Sequence, residues 1–202
     1  MSNILILTSS VAGAASISNG LVEKVAAELG AATTGVQTVR RDLAASPIPH
    51  LDAVAGLRGE PATAPQRAAR ELSDALVAEL LAADTLVIGA PMYNFGIPST
   101  LKTWFDFVLR PGVTFRYTEA GPQGLLTGKR AIVVLSRGGL YSEGPAMAYD
   151  SQEPHLRTLL GFMGVTDVVF IRAERLAMGP EQQRTAIAGA ESAIAATVRK
   201  AA

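Results

Sequence analysis

The sequence predicts an α/β domain in which a five-stranded parallel sheet lies between two layers of helices. Three observations support this. Short apolar runs alternate along the chain with longer stretches of helical periodicity. The apolar runs are continuous rather than alternating, as strands covered on both faces must be. Apolar residues make up 49% of the chain and charged residues only 18%, enough material for a sizeable core.

The elements follow in order. Ile4, Leu5, Ile6 and Leu7 form a first strand too apolar to be half-exposed. Leu21, Val25 and Leu29, flanked by Val22 and Ala26, recur at helical spacing up to an expected stop at Gly30. Residues 36–39 read as a weaker second strand. Leu72, Leu76 and Leu80 mark another helix, and residues 85–88 a third strand. Leu101, Phe105 and Val108 give a helix after Pro98. Residues 131–135 and 168–171 complete five strands, with a helix before the last of them. Ile187, Ile194 and Val198 form the inner face of a closing helix. Five such units in 202 residues fit a flavodoxin-like three-layer sandwich of strand order 2-1-3-4-5, with residues 1–202 as a single domain. Two segments break the repeat, 42–65 and 112–129. Long excursions in a compact domain usually serve function or contact a partner.

Composition excludes several functions. Lys plus Arg and Asp plus Glu number 18 each, so no basic face for nucleic acid is expected. The chain has no cysteine, which removes disulfides, thiolate nucleophiles and iron–sulfur clusters. Its two histidines, His50 and His155, have no ligand-like spacing, and no metal site is expected. No apolar run reaches the roughly 18 residues of a membrane span, and no signal segment is recognised. The expectation is a cytoplasmic protein without nucleic-acid or membrane partners.

Open parallel sheets bind ligands outside the carboxyl ends of their strands, which directs attention to the loops after strands one, three and four. The first carries Ser9, Ser10, Gly13, Ser16, Ile17, Ser18 and Asn19 into a helix start, where backbone amides, the helix dipole and hydroxyls attract an anion such as phosphate. A simpler reading is that Ser18 or Asn19 caps the helix. The second loop holds Pro91, Met92, Tyr93, Asn94 and Phe95, a composition suited to a planar aromatic ligand. Packing of Met92 and Phe95 beneath the next helix is the alternative. The third holds Ser136, Arg137, Gly138 and Gly139, whose glycines permit close backbone approach and unusual φ, or else only a tight turn. Neither a Walker A nor a G-x-G-x-x-G sequence occurs.

These residues resemble the FMN-dependent NADH-azoreductase family, also described as NADH:quinone oxidoreductases, along nearly the entire chain. The resemblance is carried by Ser9-Ser10, residues 16–19, Arg41-Asp42-Leu43-Ala44, Pro47-Ile48-Pro49 and the string Ala90-Pro91-Met92-Tyr93-Asn94-Phe95. It continues through Gly112-Val113-Thr114-Phe115-Arg116-Tyr117-Thr118, Gly128-Lys129, Ser136-Arg137-Gly138-Gly139, Leu160-Gly161-Phe162, Gly164 and Thr166-Asp167. The resemblance implies a homodimer with one FMN per subunit near the interface. Ser10, Ser16, Ile17 and Ser18 would hold the phosphate, Pro91 to Phe95 would line the isoalloxazine, and Ser136 to Gly139 would meet its other edge. Tyr117 and Phe162 would form the acceptor pocket from the partner subunit. Tyr141 stands where the family pattern has a histidine, and would cover the flavin in the pocket; the chain is also slightly longer around residues 149–155.

The activity implied is reduction of quinones and azo compounds with NADH or NADPH. With no separate dinucleotide motif, donor and acceptor are expected to use one face in turn, a ping-pong order with hydride arriving at flavin N5. Backbone amides of the second and third loops are expected to stabilise the added negative charge. No side chain is assigned as an acid or base, though Tyr141 is placed to assist, and Arg58 and Arg137 are candidates for steering anionic substrates. A flavodoxin passing single electrons to protein partners, a flavin reductase and a regulatory module share this architecture.

Overall fold

The first strand pairs on both sides, which places it inside the sheet rather than at an edge. A computed structural model describes residues 3–33, 35–51, 57 and 59–199. In it β1 (Asn3–Thr8) lies between β2 (Gln37–Asp42) and β3 (Thr85–Pro91), and β6 (Arg130–Ser136) and β7 (Asp167–Ala173) extend the sheet beyond β3. All pairs are parallel, with Leu7 opposite both Arg41 and Ile88, and Pro91 opposite Ser136. The order β2-β1-β3-β6-β7 is the expected 2-1-3-4-5 order of the five sheet strands. The numbering differs because the described residues hold seven strands, two of them outside this sheet. A hairpin of β4 (Phe115–Thr118) and β5 (Gly121–Gly124) occupies the 112–129 excursion.

The continuous apolar strands divide their side chains between two cores by the period of two. On one face Leu5, Leu7, Leu86, Ile88, Val133 and Leu135 pack against α2 (Ala64–Ala82), α3 (Ser99–Val108) and α4 (Glu153–Phe162). On the other, Ile4, Ile6, Val87, Ile132, Val134 and Ile171 pack against α1 (Ile17–Ala32) and α5 (Pro180–Arg199). Pairing β1 with β2 on one side and β3 on the other makes the β1/β3 boundary the place where the connections reverse, and a crevice opens there beyond the strand ends.

Several expected boundaries shift. α1 runs through Gly30 to Ala32, because Gly30 takes no left-handed φ. β2 begins at Gln37 and ends at Asp42, whose Oδ1 accepts the Ala44 and Ala45 amides and turns the chain inward. Leu43 and Ile48 then join the core, so this excursion is anchored at its start. β3 extends through Pro91, and Ala90 and Pro91 are strand residues rather than loop residues. In α5 the buried face is Ala190, Ile194 and Val198, with Ile187 only partly covered. Among the described residues no helix is long and apolar enough to cross a membrane.

Candidate functional site

The loops leaving β1, β3 and β6 meet at the carboxyl edge of the sheet. The β1 loop passes through a short 3-10 turn at Gly13–Ala15 and enters α1 at Ser16. Ser16, not Ser18 or Asn19, is the cap: its Oγ accepts the Asn19 amide at 3.2 Å. Ser18 lies inside the first turn with its hydroxyl 3.1 Å from that of Ser16. The pair stands beside the first amides of α1, those of Ile17 and Ser18, which have no intrahelical acceptor. Asn19 Oδ1 in the same turn is buried without a partner. Ile17 turns its side chain to the α1–α5 core and offers the site only its backbone. Hydroxyls, unpaired amides and the positive end of a sixteen-residue helix suit a phosphate.

The other two serines serve the fold. Ser9 Oγ donates to the Gly89 carbonyl at 2.7 Å, and Ser10 Oγ accepts the Ala12 amide at 3.3 Å. Ser10 Oγ also lies 3.4 Å from the Tyr93 hydroxyl, which accepts the Val11 amide at 3.1 Å. Tyr93 thus ties the β3 loop to the β1 loop across the crevice.

The β3 loop is a two-residue turn. Tyr93 and Gly96 exchange both backbone hydrogen bonds at 3.1 Å, leaving Asn94 and Phe95 as central residues with φ of 48° and 72°. Such a turn needs positive φ at both positions and favours Asn-Gly. A phenylalanine there costs on the order of 1–3 kcal/mol in backbone strain. Phe95 is 47% exposed, so its ring is not packed beneath the next helix. It meets Tyr141 edge-on at 6.1 Å and Tyr149 at 5.7 Å between centroids.

In the β6 loop every carbonyl is used. Leu176, Ala177 and Arg175 donate their amides to the carbonyls of Arg137, Gly138 and Gly139 at 2.8–3.1 Å. Neither glycine adopts a left-handed φ, contrary to the expectation of unusual backbone angles. At Gly139 the neighbours are close: an added Cβ would sit 3.0 Å from the Tyr141 ring. Not all expected loop amides are available. Those of Met92, Tyr93 and Arg137 donate to Ser136, Gly96 and Ala173 carbonyls. Those of Asn94, Phe95, Gly138 and Gly139 have no acceptor among the described residues.

Arg137 does not face a ligand. Its side chain is fully buried and bonds Gln152, Asp150 and Glu174, so the expected substrate-steering role is corrected to an internal one. Arg58 lies outside the described residues. Glu174 also accepts the Tyr141 and Ser142 amides, which fixes the start of the segment carrying Tyr141. Burial pushes the Glu174 carboxyl up, but hydrogen bonds from Ser142, Tyr141 and Arg137 outweigh that and hold it below its ordinary value. Sequence reading missed Ser151, Gln152 and Tyr149. The one available signal was the extra length around residues 149–155.

Tyr117 and Phe162 form a separate group. Phe115 packs on Phe162 at 4.5 Å and on Tyr117 at 5.6 Å, against a cleft of about 320 Å³ lined by Leu51, Leu57, Leu109, Pro111 and Phe162. No ring contact joins this group to Phe95 and Tyr141 among the described residues.

The profile of the family described as Flavodoxin-like fold matches residues 2–198. An FMN-dependent NADH:quinone oxidoreductase of Hyphomonas neptunium is 56% identical over 96% of this chain and 95% of its own length. A second protein of that name, from Photobacterium profundum, is 50% identical over 96% and 98%. Among solved structures, an azoreductase from Bacillus anthracis superposes with a TM-score of 0.90 at 28% identity, covering 99% of this chain and all of that one.

Proposed function

The chain belongs to the FMN-dependent NADH:quinone oxidoreductase family, and from that premise we propose that it reduces quinones and aromatic azo compounds with NADH or NADPH, as a cytoplasmic homodimer of single-domain subunits. The observation that supports this reading is that the loops after β1, β3 and β6 meet at one sheet edge, joined through the Tyr93 hydroxyl and the Met92 amide, and bring a phosphate-suited helix start near a set of unpaired loop amides. At one end stand the Ser16 and Ser18 hydroxyls with the first amides of α1. At the other stand the amides of Asn94, Phe95, Gly138 and Gly139. The spread suits a ligand with a phosphate at one end and a flat heteroaromatic ring at the other, and FMN has that form.

FMN, when bound, would supply the redox chemistry between a nicotinamide donor, with hydride expected at N5, and the acceptor. The chain supplies binding, orientation and charge stabilisation. Ser16, Ser18 and the first amides of α1 would hold the phosphate. The four loop amides would meet the ring edge as fixed dipoles and would stabilise added negative charge without reorganising. Pro91 and Met92 line the crevice floor where β3 ends. Phe95 and Tyr141, already in contact, cover one side. No acid or base is assigned to the reaction, and protons come from water.

The homodimer reading is supported by the exposed apolar side chains Val11, Phe95, Met147 and Tyr149 around the crevice, and by Tyr117, 72% exposed on its hairpin. In a dimer Tyr117 and Phe162 would complete the partner's acceptor pocket, the role their separation from Phe95 denies them within one subunit.

The test is the visible spectrum of protein mixed with FMN, desalted, and followed anaerobically after NADH is added. Retained bands that bleach and recover with a quinone are expected. Bands that NADH leaves unchanged would indicate an electron shuttle, and no retained flavin would overturn the site. Parallel double-reciprocal lines for NADH and quinone are expected from the shared-face order; intersecting lines would refute it.

A further inference from the structure

Gln152 is a completely buried glutamine whose side chain joins the end of β3 to the loop after β6. Its Nε2 donates to the Ala90 carbonyl at the end of β3 at 2.9 Å, and its Oε1 accepts Arg137 Nε beyond β6 at 2.8 Å. Arg137 spends its remaining donors on Asp150 at 3.0 Å and Glu174 at 3.1 Å. Asp150 Oδ1 in turn accepts the Gln152 and Glu153 amides at 2.9 and 3.1 Å, which closes the unit on itself. One residue earlier, the Ser151 amide donates to the Phe95 carbonyl at 3.0 Å. The segment 150–152 is therefore a strap. It grips the left-handed turn after β3 and the glycine loop after β6.

Sheet pairing already fixes the strand ends, through Ala90 opposite Leu135 and Pro91 opposite Ser136. What pairing leaves free is the backbone beyond them, where the four unpaired amides lie. A buried amide bonded in both directions resists displacement, because either lost bond leaves a desolvated polar group. The charges are balanced as well. Arg137, Arg157 and Arg172 face Asp150, Glu153 and Glu174. The cluster therefore brings geometry to the crevice without a strong field.

We infer that Arg137 and Gln152 are positioning residues, which hold the turn after β3 and the glycine loop after β6 at the spacing that aims the Asn94, Phe95, Gly138 and Gly139 amides at a flavin ring. The inference rests on the flavin reading of the preceding subsection.

The experiment titrates apo-protein with FMN by fluorescence quenching in wild type, Gln152→Leu and Gln152→Glu. Thermal melting of each apo-protein and the midpoint potential of each FMN complex are measured alongside. Gln152→Glu keeps the size and the acceptor toward Arg137 but withdraws the donor from Ala90. Both variants are expected to raise the FMN Kd about tenfold, the equivalent of one buried hydrogen bond. Both are expected to lower the midpoint potential, since misaligned amides stabilise the reduced flavin less. A variant that melts earlier yet keeps the wild-type Kd and potential would show a purely structural network and overturn the inference. Should Gln152→Leu not fold, Arg137→Lys is the second variant: it keeps the buried cation, loses the planar fork, and is expected to shift both quantities in the same directions. Failure of the wild type to bind FMN would overturn the flavin reading and this inference together, whereas wild-type binding with unchanged variants would overturn the inference alone.

Discussion

Ser16 and Ser18 stand two positions apart at one helix start, yet substitution should separate their roles. Ser16 caps α1 through the Asn19 amide, so Ser16→Ala should cost about 1 kcal/mol of stability as well as flavin affinity. Ser18 caps nothing and its hydroxyl meets only that of Ser16. Ser18→Ala should leave the melting temperature near wild type while weakening FMN by about tenfold, as expected for a lost hydrogen bond to a charged group. Parallel melting and FMN titration check this; equal effects in the two variants would contradict it. Phe95 is the other informative residue. A bulky side chain at positive φ, half exposed, persists only where its surroundings hold it. The Tyr93–Gly96 bonds and the Ser151 amide do so.

At the scale of elements, the β4–β5 hairpin docks by backbone contact. Gly124 lies so close to the end of α4 that an added Cβ would sit 2.1 Å from the Gly164 amide nitrogen. Gly164 itself has φ of 95°, and next to this contact the Leu126 amide donates to the Met163 carbonyl at 2.8 Å. No side chain can yield there, so the hairpin must move. Gly124→Ala should therefore destabilise by about 1–3 kcal/mol, the range of an overpacked site. It should also raise the KM for the quinone, because Phe115 and Tyr117 ride on the hairpin, while FMN stays bound. Thermal melting together with steady-state kinetics of the FMN-loaded protein measures both.

Over the whole molecule, ion pairs and aromatic surfaces govern the response to conditions. Burial pushes the Glu153 carboxyl up, but hydrogen bonds from Arg172 and Arg157 outweigh it and leave Glu153, like Glu174, below the ordinary glutamate value of 4.5. Carboxyls lowered on folding bind fewer protons folded than unfolded, so their stabilisation is present above pH 4.5 and lost as pH falls through the lowered values. His155, lowered by burial and by Lys102, acts in the same direction once pH drops below its ordinary 6.5. Melting temperature should thus fall from neutral pH toward acid, and Glu174→Gln should flatten the acid limb. A melting series across that range reads both. The dimer reading predicts that Tyr117→Ala and Phe162→Ala change quinone against azo preference more than flavin retention, and that size-exclusion chromatography with light scattering gives twice the subunit mass. Equal loss of flavin and activity would assign both residues to packing.

Sequence by itself determined the layers, the strand order and the three loops that form the crevice. Those features follow from local apolar periodicity and from the rule that parallel sheets bind ligands at their carboxyl ends, and neither requires knowledge of distant contacts. Tertiary structure decided which groups in those loops are available. The polar atoms of Ser10, Tyr93 and Arg137 bond residues far along the chain, at Tyr93, Val11, Gln152 and Glu174, which no local pattern shows. Beyond the extra length around residues 149–155 Gln152 gave no local signal, because a glutamine becomes a strap only when folding brings two strand ends to either side of it. The hairpin was missed for a similar reason. Its strands, Phe-Arg-Tyr-Thr and Gly-Pro-Gln-Gly, are only four residues long, the second with glycine at both ends, and they are held by docking on the end of α4 rather than by their own periodicity. Local pattern decides which elements form and on which face they bury; the partners of polar atoms are settled only once the chain has brought them together.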